Sequence, residues 1–286
     1  MTRIRFAGQD CGDTFPIRPG ERGLLLGDGV FETILTLNGV PVWLSEHLDR
    51  IMSAVSVLGL RAERADLERE VRAVAGREPG IIRLTVMRGE ASRGLGSKGT
   101  GASPVLASFS PLPDGLINSP VRLAVPAVRR NEGSPSSRMK TLSYMDNILA
   151  AREAAARGAD DALMLNNSGC VASVSVGNIF IIRGQKLITP AISEGALAGI
   201  ARKRVLECAQ GAGLEPSEGQ VKAEDVKSAD AVFMTNSLRL ISPVTELDGM
   251  ALKNSAAGVV DRMFAMLCEN IVSETGCNPS RPGDKG

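Results

Sequence analysis

The chain has 286 residues, 43% of them hydrophobic and 23% charged, with Lys+Arg 33 against Asp+Glu 32 and a formal net charge of +1. That length suits two globular domains, and the balanced charge provides no field that would recruit nucleic acid or an anionic membrane surface. No transmembrane-length stretch is free of charge, and the opening Met-Thr-Arg-Ile-Arg-Phe lacks a signal-peptide core, so a cytoplasmic protein is expected. Five scattered cysteines (Cys11, Cys170, Cys208, Cys268, Cys277) show no CxxC spacing, and His47 is the single histidine. Neither a disulfide framework nor a bound metal is expected from that set.

Taken in order, the first block opens with short β-like segments. Asn38-Gly39, between Phe31–Leu37 and Val40–Leu44, predicts a hairpin. Leu48, Ile51, Met52, Val55 and Leu58 recur at helical spacing, so a helix is expected from about Ser45, as N-cap, to Leu58, with Gly59 closing it. A second helix is expected over Arg64–Ala75 and a strand over Gly80–Arg88. Arg88–Pro104 is rich in Gly and Ser and reads as a mobile loop carrying Arg88, Arg93 and Lys98.

Pro111–Pro120, with three prolines and a glycine, reads as a linker between domains spanning 1–112 and 121–275. The second block predicts strands at Val121–Val128, Asp161–Leu165, Cys170–Val176, Asn178–Arg183, Gln185–Thr189, Ala229–Thr235 and Pro243–Leu247. Helices are expected over Met145–Arg157, stopped by Gly158, over Gly199–Gln210 and over Ala256–Ile271. The tail, 276–286, is expected to fray.

Several residues carry chemical options. Gly199-Ile200-Ala201 begins a helix, where free backbone N–H groups suit a phosphate, though every helix has such an end. His47 and Arg50 share a helix face, which fits either phosphate binding or an ordinary charged surface. Lys140 precedes an Ala-rich helix, with Tyr144 four residues on. Schiff-base chemistry needs one such lysine, but spacing alone does not single it out. Thr235-Asn236-Ser237 ends an apolar strand, a place that suits ligand binding or a turn.

Gly27-Asp28-Gly29-Val30-Phe31-Glu32-Thr33, then His47-Leu48-Asp49-Arg50, then Lys140-Thr141-Leu142-Ser143-Tyr144 with Asn147-Ile148-Leu149-Ala150, resembles the signature of the fold-type IV (class IV aminotransferase-like) pyridoxal-phosphate enzymes. Gly158-Ala159-Asp160-Asp161-Ala162, Gly177-Asn178-Ile179-Phe180, Thr189-Pro190, Gly195, Gly199-Ile200-Ala201-Arg202 and Thr235-Asn236-Ser237-Leu238 follow in the family's order. That family includes branched-chain and D-amino-acid aminotransferases and aminodeoxychorismate lyase.

The resemblance implies an α/β (α+β) fold, with a smaller N-terminal α/β domain, a larger C-terminal α/β pseudo-barrel and the active site between them. It also implies pyridoxal 5'-phosphate (PLP) as cofactor, a small amino or oxo acid as substrate, and a homodimer. Lys140 becomes the Schiff-base lysine and proton carrier. Arg50, the Ile200 and Ala201 amides and Thr235 become the phosphate cradle, Tyr144 a contact to the phenolic oxygen, and Arg93 and Asn236 substrate residues. Three positions depart from the family pattern: Ser173 where glutamate usually pairs with the pyridine nitrogen, Ala201 where threonine is common, and Leu26 where an aromatic is common. Ser173 and the Thr235–Val244 segment favour the lyase over the aminotransferases.

Overall fold

Asn38 and Gly39 both adopt positive φ, 52° and 80°, as a two-residue hairpin turn requires. They join β3 (Gly29–Leu37) to β4 (Val40–Pro41), with Leu37 paired to Val40, so the predicted hairpin forms. The structure is a computed structural model that describes residues 3–12, 14–99 and 101–280. The backbone divides into two units. The residues up to Asp114 join Met139–Ser143 and the residues from Ile271 in the first; Gly115–Arg138 and Tyr144–Asn270 form the second. The last residues of the tail, 281–286, lie outside the described residues.

The first unit adds β1 (Arg3–Phe6), β2 (Gln9–Asp10), α1 (Arg22–Leu26), α2 (Leu44–Leu58), α3 (Arg64–Val74), β5 (Gly80–Met87) and β6 (Val105–Pro111). Its six strands lie in the order β2-β1-β6-β5-β3-β4, and every pairing is antiparallel. Ile82, Leu84 and Val86 alternate onto one face of β5, where Leu48, Ile51 and Val55 of α2 and Leu67, Val71 and Val74 of α3 meet them. Each such buried aliphatic contributes about 1.5–3 kcal/mol. β6 was not expected, although Val105, Ala107 and Phe109 alternate as a half-buried strand does; it ends inside the segment read as linker.

α2 starts one residue before the expected cap. Trp43, at φ 53°, is the N-cap and has no side-chain hydrogen bond to the helix. Its N–H donates to the Glu274 carboxylate at 3.1 and 3.2 Å. Ser45 instead accepts from Arg64 Nη2 at 3.0 Å. Gly59, at φ 61°, closes the helix as predicted.

The second unit contains β7 (Val121–Ala124), α4 (Met145–Ala156), β8 (Asp161–Leu165), β9 (Val171–Val174), β10 (Asn178–Arg183), β11 (Lys186–Pro190), α5 (Ile200–Cys208), β12 (Glu215–Gly219), α6 (Ala223–Ser228), β13 (Ala231–Asn236), β14 (Leu240–Leu247), β15 (Met250–Ala251) and most of α7 (Ala257–Thr275). Eight strands run β12-β11-β10-β13-β14-β7-β8-β9, with β15 paired to β14. The sheet is mixed: β7 is parallel to both β8 and β14, and β11 to β12. A tight turn closed by Val174 N–H to Gly177 O at 3.1 Å leads from β9, at one end of that strand order, into β10 within it. Val121, Leu163, Val174, Ile179, Val232 and Val244 fill its interior. β12 is polar and exposed along an edge, so its sequence carries no strand periodicity.

Candidate active site

The Lys140 segment lies alongside the start of β3. Phe31 N–H donates to Lys140 O and Leu142 N–H to Gly29 O, both at 2.9 Å. Two glycines of the Gly27-Asp28-Gly29 motif permit this approach. A β-carbon at Gly27 would stand 2.7 Å from Ser143 Oγ, and one at Gly29 would stand 2.5 Å from Val86 O and 2.8 Å from Leu142 Cδ1. Lys140 Nζ sits 4.2 Å from the Phe31 ring centroid, a cation–π contact on a half-buried side chain. Two motifs far apart in the sequence thus form one local structure.

Glu32, next to Phe31, points the other way, onto the face that carries Val30 and Ile34. It is 1% exposed. Arg50 grips it with Nε to Oε1 at 2.7 Å and Nη2 to Oε2 at 2.5 Å, and His47 Nδ1 lies 2.7 Å from Oε2. Burial alone would raise the Glu32 carboxyl, but the Arg50 charge and the hydrogen bonds from His47 and Arg50 hold it at about 2. Burial pushes the His47 imidazole below its usual value, against the pull of Glu32. Arg50 already matches the carboxylate, so a second cation has no counter-charge of its own. His47 is therefore neutral at neutral pH.

That neutrality has a pH signature. The unfolded chain takes up a proton near pH 6.5 where the fold does not, so this contribution is present above pH 6.5 and is lost as pH falls below it. Between pH 7.5 and 5.5 the slope from one such proton is at most about 1.4 kcal/mol per pH unit. The charged groups around the ring are Glu32, Arg50 and Glu46, and Glu32 titrates below this window. Urea unfolding at several pH values should show this slope in wild type and its absence in His47→Gln; equal slopes would mean that His47 is protonated in the fold.

Among the described residues of the Arg88–Pro104 segment, the isolated bridge of Glu90 to Glu21 is the one regular pairing. Buried Arg22 holds it through Nη1 to Gly94 O at 3.0 Å and Nη2 to Leu95 O at 3.1 Å. Arg22 and Arg88 both donate to Asp28 Oδ2, at 2.9 and 2.6 Å. Arg88 also reaches Leu58 O at 2.6 Å, so it serves the fold rather than the loop surface. Arg93 is exposed beside the tethered Gly94 and Leu95.

In the second unit, α5 begins at Ile200 with no side-chain cap, since its N-cap is Gly199. Thr235 lies directly across from Asn178 in the β10–β13 pairing, so their side chains share a face. Asn178 Nδ2 donates to Leu197 O at 2.9 Å, and Asn178 Oδ1 would collide with any β-carbon at Gly199. The Thr235 side chain therefore lies on the sheet face that meets the start of α5; its Oγ1 is fully buried and has no hydrogen-bond partner. An uncapped helix start beside an orphaned hydroxyl fits a phosphate such as that of PLP. Ile200 and Ala201 are buried in the first turn.

Ser173 is buried on β9 opposite Met164. Nearby, Asn147 Nδ2 donates to Ser175 O at 2.6 Å, and Arg130 Nη1 to Asn147 Oδ1 at 3.1 Å, which ties α4 to the end of β9. Tyr144 is the N-cap of α4, and its carbonyl accepts from Ile148 N–H at 3.0 Å. Asn236 Oδ1 accepts from Leu238 and Arg239 N–H at 3.0 and 2.8 Å and so shapes the turn after β13.

Sequence reasoning assigned no role to Glu32, Arg22 or Asp28. For Glu32 a signal existed: a carboxylate inside an apolar strand, two residues from Val30 and from Ile34, must be buried and paired. For Arg22 none did, because its partners are loop carbonyls.

Residues 29–247 match the family described as amino-transferase class IV. A Methanocaldococcus jannaschii protein, provisionally named a branched-chain-amino-acid aminotransferase, is 31% identical over 90% of this chain and 91% of its own length. Bacillus subtilis aminodeoxychorismate lyase is 26% identical over 91% and 92%. A Legionella pneumophila crystal structure, provisionally titled a 4-amino-4-deoxychorismate lyase, superposes with a TM-score of 0.83 at 29% identity over 90% of this chain and 96% of that one. With the family matched across most of its length, this chain belongs to the class IV aminotransferase family of PLP-dependent enzymes, which holds both aminotransferases and aminodeoxychorismate lyases.

Proposed function

We propose that this enzyme is a 4-amino-4-deoxychorismate lyase, which releases pyruvate and aromatises the ring to 4-aminobenzoate. The observation that carries the reading is Ser173, a buried hydroxyl at the position where the family usually has a glutamate. A neutral hydroxyl cannot hold a proton on the pyridine nitrogen as a carboxylate does. Elimination of a leaving group tolerates that loss; amino transfer, which needs a further protonation at the cofactor, suffers from it. The Bacillus subtilis and Legionella pneumophila relatives support the same reading.

When bound, PLP supplies an electron sink for the bond broken at the amino-bearing carbon. In this reading Arg50, the Ile200 and Ala201 amides and the Thr235 hydroxyl hold its phosphate. Tyr144 and Ser173 contact its ring. Lys140 secures it and then carries the proton to and from the reacting carbon. Arg93 pairs with a substrate carboxylate and Asn236 with a polar substrate group. The alternative, an aminotransferase acting on branched-chain or D-amino acids, is favoured by the Methanocaldococcus jannaschii relative.

Pyruvate release from 4-amino-4-deoxychorismate, assayed beside 2-oxoglutarate-dependent amino transfer, separates the two. Pyruvate without transfer is the expected outcome; transfer without pyruvate overturns the lyase. Ser173→Glu should raise the ratio of pyridoxamine phosphate formed to pyruvate released, because a carboxylate there raises the pKa of the ring nitrogen. An unchanged ratio in the folded, cofactor-loaded variant would remove Ser173 as the basis of the assignment.

The reading includes a homodimer in the cytoplasm. In α1, Leu24, Leu25 and Leu26 are 59%, 61% and 49% exposed, an apolar run that suits burial against a second copy. Sedimentation equilibrium should give twice the chain mass, and Leu25→Glu should shift it toward monomer. A wild-type monomer contradicts this assembly.

A further inference from the structure

We infer that Glu32 is a positioning residue, which fixes the plane of the Arg50 guanidinium for the cofactor phosphate and is itself held by His47. The inference rests on the reading of Arg50 as a phosphate ligand. Arg50 places Nε and Nη2 on the two oxygens of one carboxylate, and a two-point fork leaves the guanidinium plane no free rotation. His47 adds a third bond to Oε2, so the carboxylate is also fixed against rotation about its own axis. Glu32 is buried, and His47 lies with Leu48 and Ile51 among the buried residues of α2, positions that apolar side chains could also fill. A buried ion pair is a weak source of stability compared with such a replacement. Orientation is what it supplies that an apolar residue cannot.

The state of His47 agrees with that role. Its Nε2 is buried with no hydrogen-bond partner, so the ring has a single polar attachment, at Nδ1. A neutral ring in contact with a carboxylate at Nδ1 carries its proton there and donates it to Glu32. His47 is fully buried, so it cannot itself meet a ligand without the fold opening.

Charge and geometry predict opposite signs, and the test uses that. Were Glu32 only a counter-charge, removing it would leave Arg50 more positive and tighten phosphate binding. Were it an orienting group, removing it would loosen binding. Glu32→Asp keeps the charge and shortens the reach; Glu32→Gln removes the charge and keeps the size. The experiment measures dissociation of PLP, and separately of pyridoxal, from the full-length enzyme and these variants. Melting temperature without cofactor serves as the folding control.

Both variants should bind PLP about tenfold more weakly, the size of one hydrogen bond to a charged group. Their affinity for pyridoxal, which has no phosphate, should be unchanged, and Glu32→Gln added to Arg50→Ala should cost PLP nothing further. Unchanged or tighter PLP binding in both Glu32 variants overturns the positioning role while Arg50→Ala still weakens it. Equal losses for PLP and pyridoxal mean that Glu32 only supports the fold, which also overturns it. If Arg50→Ala leaves PLP affinity intact, the phosphate reading fails first and the inference with it. Should Glu32→Gln not fold, Glu32→Asp decides alone, with Arg50→Gln replacing Arg50→Ala if that variant fails.

Discussion

Lys140→Ala should leave a folded protein whose turnover is at least about 10³-fold lower, since proton transfer and covalent attachment both pass through one amine. The fold should tolerate the change. The strand-like contact beside β3 is made by backbone atoms of Lys140 and Leu142, which alanine retains. The cation–π contact to Phe31, worth about 0.5–2 kcal/mol, is among what is lost, and Arg83 stays over the same ring at 3.8 Å. Borohydride reduction of the wild-type holoenzyme should fix the cofactor on the peptide containing Lys140, read by mass, and the variant should carry no label there. Labelling of another lysine, or turnover within tenfold of wild type, would sink the assignment of Lys140.

Arg50→Ala should have two effects of separate origin. Losing a charge-assisted pair to the phosphate should weaken PLP binding by about 2 kcal/mol, roughly thirtyfold. Losing the partner of a fully buried carboxylate should destabilise the fold by about 3–5 kcal/mol. The second effect has a definite pH dependence. In wild type the Glu32 carboxyl sits at about 2 because Arg50 and His47 overcome the burial that would raise it, so its contribution is present above pH 4.5 and is lost as pH falls toward 2. Without Arg50 the burial prevails and the carboxyl rises. The variant then gains stability relative to wild type as pH falls from 8 toward 5.5, because a protonated Glu32 no longer buries an unmatched charge. Thermal melts at both pH values check this, and a stability gap that widens on acidification contradicts it.

Legibility in the sequence followed the range of the interactions involved. The Asn38-Gly39 turn, the Gly59 and Gly158 helix stops and the periodic face of α2 are decided within a few residues, and they appear where expected. Lys140, Arg50 and Thr235 could be named only because their motifs resemble a family. Each is chemically one option among many until its neighbours are known. The start of α2 shows the same limit in reverse: Ser45 is a good local cap, yet the helix starts at Trp43, whose N–H meets the Glu274 carboxylate 231 residues later.

The sequence by itself determined that the chain would alternate strands and helices in two blocks and that its motifs follow the class IV order. Turn chemistry and hydrophobic periodicity are properties of neighbouring residues. Only the tertiary structure decided that Gly27 and Gly29 make room for the Lys140 segment, and that Glu32 would be a buried anion shared by His47 and Arg50. The fold alone likewise paired Thr235 with Asn178 beside an uncapped helix. Each is a contact between residues distant in sequence. A buried charge or an orphaned hydroxyl acquires its energy, and therefore its chemistry, from partners that only folding brings within a few ångströms.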